Sequence, residues 1–473
     1  MRYRPHPGIA PIETGRIFAL SDTPATETAT TRSPLPEGTI AVGTGLVLSG
    51  ICAYAFIALT RNALSNSDQE VLQLLWFTTF ALAPGFFLPL EQEVGRALSH
   101  RRTLGQGGLP IVRRAGILGG AVAALLVFAL IALGPYLTRS RFHDNSGVVL
   151  ALMLSVVTWA AAHLGRGILS GSGRFRPYGM LMGLDGVIRI VGCGALAAAG
   201  VKSLMAYALL IGLPPILAIA ISFSRQRNLL QPGPEAPWIE VTSNLGWLLL
   251  GSVAAAFLVN AGPLLANLLA RSADKADNVA FSTTAKLTTK LNAFSYAILI
   301  SRIPLFMFQA VQAALLPKLA RLAAKGAFDE FRSGLRTLMK VVAGVAVLGV
   351  VGAGLLGPFA LGIAFKVKIG NVNMAVLALA AGVYMASVAC AQALIALHRH
   401  ALVAVGWLLG VAAALAALAF GSDLLERVEA ALVAGSAVPL VFFGVMLAQT
   451  LHHPSHIDTS SLTEALLDHP LAP

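Results

Sequence analysis

Runs of about 20 apolar residues recur along this chain, and each is long enough to cross a hydrocarbon core about 30 Å thick at 1.5 Å per residue. They are predicted near 39–60, 71–90, 115–136, 147–170, 178–200 and 203–224, then near 244–270, 293–316, 337–357, 373–396, 401–421 and 429–450. A backbone in lipid must satisfy its own hydrogen bonds, so the runs are expected to be helices. Of the 473 residues, 56% are hydrophobic and 12% charged, whereas soluble domains carry about twice that charge. The expected fold is an all-α polytopic membrane protein with about 12 transmembrane helices.

The polar stretches divide the chain. Residues 1–37 are rich in Pro, Thr and Arg and read as a disordered tail. They hold no cleavable signal, because no apolar core begins before Ile40. The break RQRNLLQPGPEAPWIEVTS at 225–243 separates a six-helix half at 38–224 from a second at 244–450, and 451–473 form a closing tail. The break is expected to be an inter-lobe linker and hinge.

The net charge of +12 would suggest a nucleic-acid partner in a soluble protein. Here Lys and Arg gather in short loops, and no basic stretch is interleaved with stacking aromatics in a polar domain, so no nucleic-acid partner is expected. With the N-terminus in the cytoplasm, cytoplasmic segments hold about twice as many basic residues as external ones, which predicts both termini inside. The loop at 271–292 is the awkward one, with Arg271, Lys275, Lys286 and Lys290 outside. Cys52, Cys193 and Cys390 all lie in apolar runs without metal-like spacing, so buried free thiols are expected. No metal and no cofactor is expected.

The halves echo one another. FTTFALAPGFFLPLEQEVGRAL (Phe77 to Leu98) aligns without a gap on RIPLFMFQAVQAALLPKLARLA (Arg302 to Ala323), and Arg96 falls on Arg321. GILSGSGRFRPYG from Gly167 resembles ALIALHRHALVAVG from Ala393. The paired helices keep one direction across the membrane, as in a parallel repeat about an axis along the membrane normal.

Arg302 is a permanent cation roughly 14 Å into its predicted helix, where an arginine costs at least about 2.5–3.5 kcal/mol. It must face water, a counter-charge or an anionic ligand. Pro304 loosens the helix at the same level. Asp185 and Arg189 are spaced to pair on one face of a helix. Glu91, Glu93 and Arg96 end the second span. Asn260 and Pro263 interrupt the seventh, and Gln309 and Gln312 follow Arg302 roughly along one face. Gly-rich faces at Gly116 to Ala124 and Gly344 to Gly354 read as small-residue helix packing. Pro214–Pro215 is expected to kink the sixth span.

Three segments carry a family resemblance: PLEQEVGRALSHRR (Pro89 to Arg102), RGILSGSGRFRPYG (Arg166 to Gly179) and SRIPLFMFQAVQAALLPKLARL (Ser301 to Leu322). In order and spacing the chain, over roughly 38–450, resembles the polysaccharide-flippase branch of the multidrug/oligosaccharidyl-lipid/polysaccharide (MOP) exporter superfamily. The resemblance implies two six-helix lobes related by a pseudo-two-fold, V-shaped around a central cavity, and alternating access without covalent chemistry. It implies export of a polyprenyl-(pyro)phosphate-linked oligosaccharide or a related envelope glycolipid precursor across a bacterial inner membrane. Membrane lipids and glycan-assembly enzymes are the other partners it implies. Lipid II flippases in this superfamily carry two further helices and cations in the first, whereas the first span here has no charge before Arg61.

Within that frame each residue has two readings. Arg302 grips a pyrophosphate through its planar fork or pairs with an acid between lobes. Asp185 is a coupling site with Arg189 as an anion contact, or the two form a self-neutralised structural pair. Glu91, Glu93 and Arg96 form an inner gate toward Lys318 or Arg321, or a local interfacial cluster. Asn260, Gln309 and Gln312 offer amides to sugar hydroxyls or bond neighbouring helices. A drug or metabolite antiporter of the multidrug-extrusion (MATE) kind is the alternative, though it would favour an acidic cavity. A membrane glycosyltransferase or polymerase is the remaining one, for which no external loop is long enough to hold an acceptor.

Overall fold

The computed structural model describes residues 39–452, leaving aside 227, 243, 278–280, 306–307, 309–318, 320–321, 324 and 422, together with the side chains of 39, 103, 270–277 and 281–289. The first half contains α1 (Thr39–Ala63), α2 (Asn66–Thr103), α3 (Leu109–Arg141), α4 (Ser146–Gly171), α5 (Phe175–Ala198), α6 (Leu204–Gly212) and α7 (Pro214–Phe223). A short α8 (Ile239–Thr242) precedes the second half, which contains α9 (Leu245–Asp277), α10 (Phe281–Ser301), α11 (Phe328–Phe365), α12 (Asn371–Ala396), α13 (His400–Ala417) and α14 (Leu424–His452). Among the described residues every regular element is a helix, and 11 helices are long and apolar enough to cross a membrane.

Several helices outrun the spans predicted for them. α2 has 38 residues and α3 has 33, because their polar ends continue the helix beyond the apolar stretch. α2 starts on Ser65, whose side chain accepts from the Asp68 backbone N–H at 3.1 Å. α6 and α7 divide at Leu213, just before the Pro214–Pro215 pair, as the sequence predicts. α9 differs: it runs unbroken through Asn260 and Pro263, which were expected to interrupt it. α10 begins at Phe281, well ahead of the predicted 293, and stops at Arg302, which forms a turn with its N–H on the Leu299 carbonyl at 3.2 Å.

The repeat is visible in the element boundaries. Ser146 and Asn371 begin helices, Gly171 and Ala396 end them, and Phe175 and His400 begin the next. Each pair is separated by the displacement that relates Phe77 to Arg302. α3 and α11 correspond, and both turn apolar side chains outward: Leu125, Phe128, Leu348 and Phe359 are exposed. These are the lipid-facing walls.

The closest helix crossings use glycine. Gly45 of α1 and Gly179 of α5 meet so that a Cβ on either would overlap the other helix's backbone. Gly167 and Gly171 of α4 press against the backbone of Glu91 and Gly95 on α2. In the Gly-rich faces singled out in the sequence, Gly119 meets Leu90, Gly349 meets Pro304 and Gly354 meets Ala375, while Gly120, Gly344 and Gly352 have open space where a Cβ would stand.

The break at 225–243 is docked on the first half. Ala236 and Val241 are buried against Val94, Leu98 and Ile111. Arg101 holds the stretch: it bonds Glu240 Oε2 at 3.0 Å, the Pro234 carbonyl at 2.7 Å and the Glu235 carbonyl at 3.2 Å. Arg114 stacks over Trp238, 4.8 Å from the ring centroid.

Candidate functional site

The two halves meet along one stripe of α2. Asn66, Gln69, Gln73, Phe77, Phe80 and Pro84 recur every three or four residues, so they share a face. That face looks onto α9 and α10. Asn292 Nδ2 donates to the Asn66 carbonyl at 3.0 Å, and Ser252 Oγ to the Pro84 carbonyl at 3.1 Å. Asn267 bonds Glu70 at 2.8 Å. Pro84 has no N–H, so the Phe80 carbonyl loses its helical partner. Asn260 Nδ2 supplies a substitute from α9 at 3.0 Å, and also donates to its own Ala256 carbonyl at 2.9 Å. The amide of Asn260 is therefore bound to backbone.

Arg302 lies in this seam. Its guanidinium stands 5.8 Å from the Phe77 ring centroid. The hydroxyls of Tyr54 on α1 and Tyr384 on α12 are its electrostatic neighbours. Tyr54 donates to the Leu299 carbonyl at 2.8 Å and Tyr384 to the Ala255 carbonyl at 3.0 Å, so each turns lone pairs rather than a proton toward the cation. Among the described residues no carboxylate lies within ion-pair distance of Arg302. Phe77 is eleven residues into α2, about 16 Å along its axis, which sets the cation against the apolar stretch predicted for the second span. Beside it is a cavity of about 30 Å³ lined by Ser301, Arg302, Leu258, Leu377, Tyr384 and Leu432. That is room for about one water molecule, and too small for a phosphate. Pro304 packs toward Gly349 of α11. Gln309, Gln312, Lys318 and Arg321 lie outside the described residues.

The same seam holds a second polar group. Gln69, Gln73 and Tyr296 are buried, and the phenol of Tyr296 meets both amides.

Asp185 and Arg189 form the local pair that their spacing predicts, at 2.6 Å. Arg189 also donates to the Leu210 carbonyl at 3.1 Å and lies over Trp76 at 5.4 Å. Both are buried within the first half, apart from the Arg302 cavity, and Asp185 Oδ1 has no partner.

Among the described residues Glu91, Glu93 and Arg96 bond as a local cluster, one of their two readings, while Lys318 and Arg321 on the other side of the gate reading lie outside the described residues. Glu91 is turned inward: its Oε2 shares a 2.7 Å hydrogen bond with His163 Nδ1, and its Oε1 accepts from Tyr178 at 2.9 Å. Arg166 completes the cluster, stacked 5.2 Å from the Trp159 ring centroid. Burial decides the outcome, because a carboxylate in the bundle interior needs donors from its own bundle. Glu93 pairs with Arg96 at 2.9 Å, and Arg96 donates to the Glu240 carbonyl at 2.7 Å. The segments Pro89 to Arg102 and Arg166 to Gly179 thus pack on one another. His163 and Tyr178 were missed in the sequence, where a lone His and a lone Tyr carry no spacing signal.

No protein-family model matches the chain. The fold is that of the MATE transporters. Over 89% of this chain and 96% of that one, it superposes on a mutant form of the Vibrio cholerae MATE transporter VcmN with a TM-score of 0.67 at 14% identity. The outward-facing conformation of a multidrug resistance MATE family transporter of the MOP superfamily gives 0.66 at 13% identity, covering 88% and 95%. The inward-facing conformation of such a transporter gives 0.62 at 14%, covering 90% and 98%. The chain is thus a multi-pass membrane protein of two six-helix lobes.

Full-length relatives occur in Mycobacterium tuberculosis (strain H37Rv). The uncharacterized protein Rv1510 is 25% identical over 456 residues, 92% of this chain and 96% of its own length. The uncharacterized protein Rv3630 is 26% identical over 443 residues, covering 87% and 92%.

Proposed function

We propose that this protein is a transporter that moves a polyprenyl-(pyro)phosphate-linked glycan or related envelope precursor across a bacterial inner membrane by alternating access. The observation that carries the reading is Arg302: a cation against the apolar stretch of α2, in the seam between halves, with two tyrosine oxygens and a small cavity beside it and no described carboxylate. Such a cation attracts an anion, and a guanidinium suits a phosphate. The MATE-type fold supports alternating access. In the state described the cavity is too small for a phosphate, so the headgroup enters only when the seam opens.

The arginine-rich ends of α2 and α3 face the cytoplasm in this reading, which places both termini there. The carrier's tails stay in lipid while Arg302 holds the phosphate. The membrane potential, worth about 2.3 kcal/mol per charge per 100 mV, favours release of an anion outside. Membrane lipids and glycan-assembly enzymes are the partners, and no covalent step is involved.

The test is flipping of a fluorescent polyprenyl-pyrophosphate glycan in proteoliposomes. Arg302→Ala removes a charge-assisted contact worth about 1.5–3 kcal/mol, a loss of about tenfold to a hundredfold. A normal rate in a normally folded variant refutes the assignment. A second reading, antiport of a cationic drug or metabolite, is favoured by the fold match to multidrug transporters and by the unpartnered Asp185 Oδ1. It requires dye transport that depends on Asp185 and is indifferent to Arg302.

A further inference from the structure

We infer that the cleft between the end of α3 and the start of α4 binds one zwitterionic phospholipid, a phosphatidylethanolamine, whose phosphate meets Arg139 and whose ammonium meets Asp144. The site lies apart from the Arg302 seam and holds whatever the cargo is.

The cleft has a volume of about 410 Å³, within the range of about 300–1,000 Å³ usual for small-molecule sites. Gly134, Pro135, Val149 and Leu150 form its apolar side. Thr138, Arg139, Asp144 and Ser146 form its polar side. The turn between the helices sets the polar side in place. Phe142 is buried, and the Asp144 N–H donates to the Thr138 carbonyl at 3.0 Å. His143 and Asp144 both hold positive φ, at 48° and 61°, which is uncommon for residues other than glycine. Arg139 and Asp144 are exposed. A cation and an anion thus line one cleft, and among the described residues they form no ion pair with each other or with any third group.

The repeat separates what the fold needs here from what it does not. LGPYLTRSRF (Leu133 to Phe142) aligns with LGPFALGIAF (Leu356 to Phe365). Both halves keep the Gly-Pro step, an exposed aromatic after it at Tyr136 and Phe359, and a buried phenylalanine at Phe142 and Phe365. Where the first half has Thr138 and Arg139, the second has Leu361 and Gly362. The helix end therefore forms without the polar side of the cleft.

Depth and charge together choose the occupant. Between Arg114 and Arg139 α3 carries no charge over about 37 Å, slightly more than a hydrocarbon core of about 30 Å. Arg139 is thus at headgroup level. From the cleft toward the bilayer centre the outer face of α3 is apolar, with Phe128, Ile131 and Leu133 exposed, and Leu150 of α4 extends it. A molecule seated there has a charged head and apolar tails. The guanidinium fork suits a phosphodiester. The carboxylate of Asp144 accepts only, so it asks for an N–H donor. Phosphatidylglycerol brings Asp144 no cation, and the quaternary ammonium of phosphatidylcholine has no N–H.

The experiment is native mass spectrometry of the full-length protein released from detergent micelles. The probes are phosphatidylethanolamine, phosphatidylcholine and phosphatidylglycerol with identical acyl chains, and free glycerophosphoethanolamine. Wild type is expected to retain one phosphatidylethanolamine about tenfold better than either other lipid. Asp144→Asn is expected to bring phosphatidylethanolamine and phosphatidylcholine within about twofold of each other. Arg139→Gln is expected to lower retention of every phospholipid about tenfold, and Arg139→Lys to restore part of it. Leu150→Trp fills the cleft from an exposed position and is expected to displace the lipid with both charges in place. A merely structural role for the charges predicts a lower melting temperature with the lipid preference intact. No preference in wild type, or an unchanged preference in folded Asp144→Asn and Leu150→Trp, overturns the site. Equal competition by glycerophosphoethanolamine at the same concentration makes the occupant a soluble phosphodiester and overturns the lipid.

Discussion

Arg302 stands over the ring of Phe77, 5.8 Å from its centroid, and Phe77 is the residue that holds the same place in the other half of the repeat. The pseudo-two-fold therefore passes close to this pair. A cation–π contact of this kind contributes about 0.5–2 kcal/mol, far less than an ion pair would in the same setting, so the guanidinium remains available to an anion.

Phe77→Leu keeps an apolar wall and removes the ring. It is expected to fold, to lower the melting temperature by a few degrees, and to slow flipping by no more than about tenfold, the equivalent of 1.4 kcal/mol. A loss as deep as that of Arg302→Ala would mean that the ring, rather than the charge, carries the contact with cargo.

The Asp185–Arg189 pair gives a stability prediction. Arg189→Met strands a buried carboxylate and is expected to cost about 3–5 kcal/mol, while Asp185→Leu together with Arg189→Met recovers most of it. Thermal unfolding followed by tryptophan fluorescence measures both, because Trp76 lies against the guanidinium. Failure of the double variant to recover would point to a role for the charges beyond neutralising each other.

Arg101 is expected to latch the linker. Arg101→Ala removes its contacts with Glu240 and the linker carbonyls, a loss of about 3 kcal/mol, and raises the undocked fraction about a hundredfold. A cysteine placed at buried Ala236 reports this by maleimide labelling from the arginine-rich side. The native thiols are buried, so new signal belongs to position 236. Equal labelling with and without Arg101 would remove the latch.

Gly179 is expected to tolerate no side chain. A Cβ there overlaps the α1 backbone at Ala41, so Gly179→Leu should part α1 from α5 and destabilise by about 3 kcal/mol or more. Gly344→Leu, with open space at its Cβ, should be neutral within about 0.5 kcal/mol. Expression and melting temperature separate the two.

What the sequence discloses follows the range of the interaction. Helices, the kink before Pro214 and the Asp185–Arg189 pair depend on neighbours within a few residues, and all are present in the structure. The repeat was legible because two segments kept their register. The partners of Glu91, His163 and Tyr178, come from other helices and leave no spacing signal in the sequence. Arg101 looked like a topology charge until Glu240 and the linker carbonyls were seen to enclose it. Asn260 carried both readings, ligand amide and helix contact; the fold shows that Pro84 had left a carbonyl for it to fill.

The meeting of Arg302 with Phe77 also bears on how such a chain can arise. Two identical copies of one half would bring guanidinium against guanidinium across the dyad in a low-dielectric medium, and mutual repulsion would hold them apart. A solitary positive charge on the axis is open only to joined halves free to diverge, one keeping an aromatic face where the other acquired a cation. Divergence of the two repeats therefore had to precede the cation at position 302.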